Sequence, residues 1–176
     1  MRIKVTILSL VLILLTSSGF SLMAQKKDKS TKRSKQEEKN GKFLGIQKLI
    51  KSRSFVFDAE RALPSGGQPV ELVSNPGQII VQKDMAYGGL PYIGHSYTSM
   101  YGNQHVGMNF KGKMEDVSYK VNEKKRKVYF SFKVTDDDVY IVSMEITYNG
   151  GCSVTIISQR KSSISYSGKV SVYEGS

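Results

Sequence analysis

The stretch KVYFSFKVTDDDVYIVSMEITYNGGCSVTIIS, residues 127–158, decides the fold. Apolar and polar side chains alternate along its three runs with a period of two, which is typical of β-strands with one buried face. The links TDDD and NGG are short and rich in turn residues, so they favour hairpins. The stretch therefore predicts three adjacent antiparallel strands. The residues expected on the buried face of its first two runs are Val128, Phe130, Phe132, Val134, Tyr140, Val142, Met144, Ile146 and Tyr148.

The same period extends to both sides of this stretch. It recurs in FVFDAERAL (55–63), QIIVQ (78–82), EDVSYKV (115–121) and SISYSGKVSVY (163–173), and no long helical segment interrupts the series. Strands that follow one another through short links favour an antiparallel meander over folds with helical crossovers. We expect a mainly β domain whose meander closes as an up-and-down β-barrel or a strongly curved sheet. A two-sheet β-sandwich is the alternative.

A single helix is readable in the sequence, in KFLGIQKLIKSR at residues 42–53. Phe43, Ile46, Leu49 and Ile50 recur there at helical spacing, which predicts one short N-terminal helix that flanks the sheet. Residues 43–176 are then a single β domain with this helix at its start.

The first 24 residues have the composition of a secretory signal peptide. A basic start, an apolar run at 5–15 and small or polar residues up to Ala24 form that pattern. The apolar run is shorter than the roughly 20 residues that cross a bilayer, which disfavours the alternative of an uncleaved anchor. We expect an exported protein, periplasmic or extracellular, that is soluble after cleavage and retains no transmembrane segment.

The net charge of +11 is concentrated near the N-terminus. Residues 25–53 hold 11 Lys and Arg against 3 Asp and Glu, whereas residues 54–176 hold 13 against 12. Because residues 25–42 contain no aliphatic or aromatic side chain, their composition predicts a basic disordered linker. The alternative is a weak contact of this tail with an anionic surface. Nucleic acid is disfavoured as a partner because no aromatic residue is interleaved with the basic ones.

No recognised arrangement of catalytic or metal-binding residues occurs in the sequence. Cys152 is the single cysteine and lies in a strand pattern, where it is expected to be a small buried side chain. His95 and His105 lack the spacing of zinc ligands. The triplet Asp136 to Asp138 lacks the alternating pattern of a calcium loop and is expected to be a solvated turn. We therefore predict no catalytic residue, no metal and no cofactor.

The segment LPYIGHSYTSMYGNQHVGMNF, residues 90–110, is the best candidate for a contact surface. Its glycines and Pro91 predict a strand that ends in an irregular connection, and connections of this kind often carry binding residues. The candidate ligand or partner contacts are Tyr92, His95, Tyr97 and Tyr101. The alternative is that the tyrosines pack over the open end of the sheet.

Four short motifs together resemble one family by their order and spacing: FVFDAERALP at 55–64, LPYIGHSY at 90–97, NFKG at 109–112 and ISYSG at 164–168. They are similar to the domain of unknown function 4251 family, exported proteins of gut Gram-negative bacteria, over residues 45–173. The resemblance implies a mostly β domain in the cell envelope and implies no activity. His95 stands where that family commonly has arginine, so a shared histidine-based site is not implied.

Two classes of function are compatible with these features. We expect a non-catalytic binding or interaction module whose partner is a small molecule, a glycan or an envelope protein. The alternative is a hydrolase that acts on envelope or glycan material, which would need His95 or His105 beside a carboxylate or Cys152.

Overall fold

The computed structural model describes residues 21–74, 76–94 and 107–175. The chain divides into two compact units, residues 1–39 and 40–176. Helix α1 spans Ser21–Lys51 and so begins in the first unit and ends in the second. Residues 1–20, which make up most of the predicted signal peptide, lie outside the described residues. In the described part of the chain no helix is long and apolar enough to cross a membrane.

Residues 25–42 are helical, although their composition predicts a disordered linker. Lys, Arg, Gln and Glu have high intrinsic helix propensity, and exposed helices need no buried face when such residues dominate. Arg33 Nε lies 3.3 Å from Glu37 Oε1, one turn further along the helix, and such a pair adds local support. High helix propensity, which a judgement from burial alone leaves out, accounts for the helix over these residues.

Within the described residues, ten strands form one antiparallel sheet. They are β1 Ser54–Pro64, β2 Val70–Glu71, β3 Gly77–Gln82, β4 Met85–Pro91, β5 Gly107–Lys113, β6 Glu115–Asn122, β7 Lys127–Thr135, β8 Val139–Thr147, β9 Gly151–Ser158 and β10 Ile164–Val172. The spatial order is β5-β4-β3-β1-β10-β9-β8-β7-β6, with the short β2 paired to β1. Apart from β2, every neighbour follows in sequence except the pair β1 and β10, whose pairing brings the two ends of the domain together.

Strands β5 and β6 behave as one bent strand. Strand β5 is antiparallel to β4, β6 is antiparallel to β7, and only Met114 separates them in the chain. The bend coincides with a register shift after Glu115 and with a positive φ of 50° at Asp116, a residue type that tolerates the left-handed region. The sheet is therefore nearly closed as a barrel. Along the bent strand, the first part (β5) pairs with β4 and the second part (β6) pairs with β7.

One seam remains where the ladder changes partner, between β5 and the end of β7. Lys111 N donates to Asp136 Oδ2 at 2.9 Å across it, and Gly112 lies against Val134. The prediction of an antiparallel meander that closes as a barrel is thus confirmed, with this seam between strands instead of a complete ring of backbone hydrogen bonds. The sandwich alternative is wrong.

Aromatic side chains fill the interior of the barrel where the described residues line it. The Phe55 ring on β1 meets the Phe130 ring on β7 at a centroid distance of 5.7 Å, although four strand pairings separate these strands around the wall. Phe110 and Tyr140 meet at 5.2 Å. The buried face predicted for residues 128–146 is confirmed, because its inward side chains are at most 2% exposed, whereas Tyr148 lies beyond β8 and is half-buried.

The C-terminal part of α1 packs on the end of the barrel that carries the β6–β7 and β8–β9 turns. Phe43 and Ile50 are buried and Ile46 and Leu49 are half-buried against the core, as the helical spacing predicts. Arg126 Nε in the β6–β7 turn donates to Asn40 Oδ1 at 2.9 Å. This part of the helix is therefore integral to the second unit.

Candidate functional site

A row of hydroxyl side chains crosses the outer face of the barrel. The register places Ser118 of β6 opposite Ser131 of β7, Ser131 opposite Ser143 of β8, Ser143 opposite Thr155 of β9, and Thr155 opposite Ser165 of β10. We call these five residues the hydroxyl row. They point outward because their neighbours along each central strand point into the core.

The hydroxyl row forms part of a groove of about 530 Å³, which we call the outer groove. Its volume falls within the range of small-molecule sites. The outer groove is lined by Ser118, Lys120, Tyr129, Phe130, Ser131, Ser143, Met144, Glu145, Ser153 and Thr155. Small side chains form its middle, while Tyr129 and Glu145 stand in the neighbouring row, directly opposite each other on β7 and β8.

Most hydroxyls of the row are free to meet a ligand. Thr155 Oγ1 and Ser165 Oγ lie 2.9 Å apart and share a hydrogen bond. Among the described residues, Ser118, Ser131 and Ser143 make no side-chain hydrogen bond to another protein group. A hydroxyl both donates and accepts, so these three can bind alcohol, amide or carbonyl groups.

The charge at the groove is nearly balanced. Lys127 Nζ donates to Glu145 Oε1, and this hydrogen bond raises the pKa of Lys127 above its ordinary value. Lys120 is exposed at the β6 side of the groove. A site with a paired carboxylate and one further cation favours a neutral or weakly polar ligand over a strongly charged one.

A second groove of about 470 Å³ lies over the seam. It is lined by Tyr87, Gly88, Asn109, Phe110, Lys111, Asp136 and Asp137. Lys111 Nζ lies 5.6 Å from the centroid of the Tyr87 ring, and Asp136 accepts from the Lys111 backbone. Its polar groups are thus largely engaged with one another in joining the two sides of the seam.

Tyr92 is the one predicted contact residue that lies within the described chain. It is half-buried, its hydroxyl is 2.7 Å from Ser162 Oγ, and Lys161 Nζ lies 5.5 Å from its ring centroid. Burial lowers the pKa of Lys161, which also donates to the carbonyl of Gly107. These contacts hold the end of β4 against the β9–β10 loop. The other predicted contacts, His95, Tyr97 and Tyr101, and also His105, lie outside the described residues.

Asp138 is buried, although the sequence pattern predicts a solvated turn. Asp136 and Asp137 are exposed as expected, whereas the Asp138 carboxylate accepts hydrogen bonds from the β9–β10 loop. Its donors are Ser158 Oγ and the backbone N–H groups of Val139, Gln159 and Arg160. Burial alone would raise the pKa of Asp138, but these hydrogen bonds outweigh burial and lower the pKa below its ordinary value.

Cys152 is unsuited to act as a nucleophile. Its side chain is 5% exposed and points into the core of the barrel. Burial raises the pKa of the thiol well above its ordinary value, and the negative charge of Glu145 raises it further. The protonated thiol is neither a nucleophile nor a metal ligand, so the expectation of a small buried side chain is confirmed. Among the described residues, no three His, Cys, Asp or Glu side chains cluster in a way that could hold a metal ion.

These observations define the class of the protein as a small antiparallel β-barrel with a helix packed on one end and a polar groove on its outer wall. The chain belongs to the DUF4251 family, described as a domain of unknown function, whose pattern matches residues 35–170. No curated protein matches it.

The fold is similar to a crystal structure of a DUF4251 family protein from Bacteroides eggerthii DSM 20697. The two share 15% sequence identity and a TM-score of 0.57, over 74% of this chain and 87% of that one. At this identity the likeness concerns the fold alone.

Sequence reasoning missed the outer groove. The serines of β7, β8 and β9 stand out as polar positions in the alternating pattern, and this was the available signal. Their alignment into one row depends on the register between four pairs of strands, which the alternation alone leaves open.

Proposed function

We propose that this chain is an exported, non-catalytic binding module of the cell envelope, and that its outer groove takes a glycan. The observation that carries the proposal is the groove of about 530 Å³ crossed by the hydroxyl row. Export is supported by the signal-peptide pattern of residues 1–24.

A glycan fits the chemistry of the groove better than a charged or apolar ligand. Sugar hydroxyls both donate and accept hydrogen bonds, and so do the hydroxyls of Ser118, Ser131 and Ser143. A hydrogen bond between the ligand and the row can therefore form with either group as the donor. The Tyr129 side chain offers an aromatic surface with a polar tip, a combination common at binding sites. Because the charges at the groove nearly balance, they attract an anionic ligand only weakly. Hydrogen bonding and packing would therefore dominate recognition.

The groove also has an extended shape. It crosses four neighbouring strands, β6 to β9, and adjacent strands lie about 4.8 Å apart, so its length is about 14 Å. A ligand would therefore lie across the strands and contact the hydroxyls one strand at a time. A chain of sugar units meets this requirement.

The interior of the barrel supports this location on the outer wall. A carrier of small hydrophobic molecules needs an internal cavity, but Phe55 and Phe130 meet across the interior. The proposal therefore assigns binding to the polar face and leaves the aromatic core with a structural role.

A glycan microarray, followed by calorimetry with the best binder, tests the proposal. Ser143→Leu places a bulky apolar side chain in the middle of the groove, and we expect it to weaken binding at least tenfold, which corresponds to about 1.4 kcal/mol. Tyr129→Ala removes the aromatic wall and should weaken binding to a similar extent.

Ser171→Leu is the matched control for Ser143→Leu. Ser171 is likewise an exposed serine on a strand, but it belongs to β10 and lies outside the groove. We expect Ser171→Leu to bind like the wild type. Absence of any glycan binding by the wild type, or equal loss in both serine variants, would refute the proposed site.

A further inference from the structure

We propose that the basic segment, residues 25–53, binds anionic phospholipid surfaces by electrostatic attraction and so holds the barrel beside a membrane. Positive charge is concentrated in one part of the chain. This segment holds 11 Lys and Arg against 3 Asp and Glu, while residues 54–176 are almost neutral with 13 against 12. A net charge of this size over a short segment attracts anionic surfaces strongly.

Exposure of the charges is the second observation. Every described side chain of the segment from Arg33 to Lys42 is exposed to solvent. Two of the three acidic residues of the segment, Glu37 and Glu38, lie within this stretch, and the ion pair between Arg33 and Glu37 is fully at the surface. The basic groups of this stretch are thus at the surface and need not first be released from the core.

The structure also indicates the mode of binding. The apolar residues of α1 at Phe43 and Ile50 are buried on the end of the barrel, and Ile46 and Leu49 pack beside them. The remainder of the segment, residues 25–42, contains no aliphatic or aromatic side chain. An amphipathic helix that inserts into a bilayer needs an apolar face, and Leu44 alone is an exposed large apolar residue among the described side chains of this segment, which is too little for such a face. Adsorption to the surface through charge is the mode that remains, and it depends strongly on salt.

A phospholipid surface fits these features better than nucleic acid. Proteins that bind single strands combine basic groups with aromatic residues for base stacking, and residues 25–42 carry none. Exposed lysines without a defined groove provide point charges, which suit the mobile headgroups of a bilayer. The proposal is independent of the outer groove, so either can fail alone.

Sedimentation with vesicles tests the proposal on the chain as isolated, with its N-terminus assigned by mass spectrometry. Vesicles of phosphatidylcholine with phosphatidylglycerol should bind the protein, and vesicles of phosphatidylcholine alone should not. Raising the salt from dilute buffer to physiological strength and above should weaken binding by roughly tenfold or more, because the screening length falls to about 8 Å.

Two variants that lose the same amount of charge distinguish binding through the basic segment from binding through the net charge of the protein. The first changes Lys26, Lys27, Lys29, Lys32 and Lys35 to Gln, which removes charge and retains helix propensity. The second changes Lys111, Lys113, Lys124, Lys125 and Lys169 of the barrel to Gln. We expect the first to lose at least ten times more affinity for the anionic vesicles than the second.

Three outcomes would overturn the proposal. They are equal binding to neutral vesicles, equal loss in the two variants, and tighter binding to duplex DNA or to lipopolysaccharide micelles than to the phospholipid vesicles at the same salt. Circular dichroism of both variants checks that they are folded, and the salt dependence of the wild type tests the mode of binding without any variant.

Discussion

At the scale of single residues, burial and not charge separates the three consecutive aspartates. Asp136 accepts from the Lys111 backbone across the seam, and Asp138 turns inward and accepts from the β9–β10 loop. A buried carboxylate is stable only when hydrogen bonds replace its water, and here three backbone N–H groups and one hydroxyl do so. Asp138 therefore connects the β7–β8 turn to the loop that also carries Lys161 and Ser162.

We predict that Asp138→Ala lowers the free energy of unfolding by about 3 kcal/mol, because it leaves several buried donors without a partner. The folded-state pKa of Asp138 is below its unfolded value, so the ionised group adds stability above pH of about 4. This contribution is lost as the pH falls through the folded-state pKa. Urea unfolding at neutral and acidic pH measures both effects.

Asp137→Ala is the control for this substitution. Asp137 is the exposed neighbour and accepts one long hydrogen bond, from the Tyr140 hydroxyl at 3.3 Å, so its loss should lower the free energy of unfolding by less than about 1 kcal/mol. If Asp138→Ala were as stable as Asp137→Ala at neutral pH, the buried carboxylate would not hold the loop.

At the scale of elements, strand β4 shows how two adjacent glycines differ. Gly88 lies opposite Phe110 of β5, and a Cβ at Gly88 would come within 2.2 Å of the Phe110 ring. Gly89 faces outward, and a Cβ there would meet nothing within 4 Å. The first glycine makes room for an aromatic side chain of the core, and the second has no such role.

We predict that Gly88→Ala destabilises the protein by about 1–3 kcal/mol, because the Phe110 ring must move and it packs on Tyr140. Gly89→Ala should be neutral or stabilising by less than about 1 kcal/mol, since alanine restricts the unfolded chain. Chemical denaturation of the two variants provides the comparison. Equal effects of the two substitutions on the free energy of unfolding would show that the Phe110 ring can move without a loss of stability.

At the scale of the whole molecule, the second unit combines a barrel with the end of a helix. Phe43 and Ile50 are the buried contacts that join them, while Leu44 between them is 64% exposed. Burial of one large apolar side chain contributes roughly 1.5–3 kcal/mol, so two such residues account for much of the docking of the helix.

We predict that Phe43→Ala and Ile50→Ala each lower the free energy of unfolding by about 3 kcal/mol, and that Leu44→Ala changes it by less than about 0.5 kcal/mol. Hydrogen exchange of residues 43–51 would distinguish local from global loss: the buried variants should exchange faster there than the Leu44 variant. Uniform behaviour of all three would argue that the helix contributes nothing to the core.

The sequence by itself determined the strands with a clear alternation and the four apolar positions of the helix. This was possible because a hydrophobic period of two residues in a strand, or of 3.6 in a helix, shows which side chains share a face. It also carried the family resemblance, which the match over residues 35–170 confirms. The strand β4 was harder to delimit because its two glycines interrupt the alternation.

Only the tertiary structure decided how these elements meet. The bend at Met114 that lets one strand serve both β4 and β7, the inward turn of Asp138 and the alignment of Ser118, Ser131 and Ser143 all depend on contacts between residues distant in the chain. The alternation of apolar and polar residues predicts which face of the sheet a side chain lies on. Which side chains are its neighbours on that face depends on the register between strands, and the register is set when the strands pack. For this reason the candidate groove is a property of the folded barrel, while the charge of the basic segment was readable from the sequence.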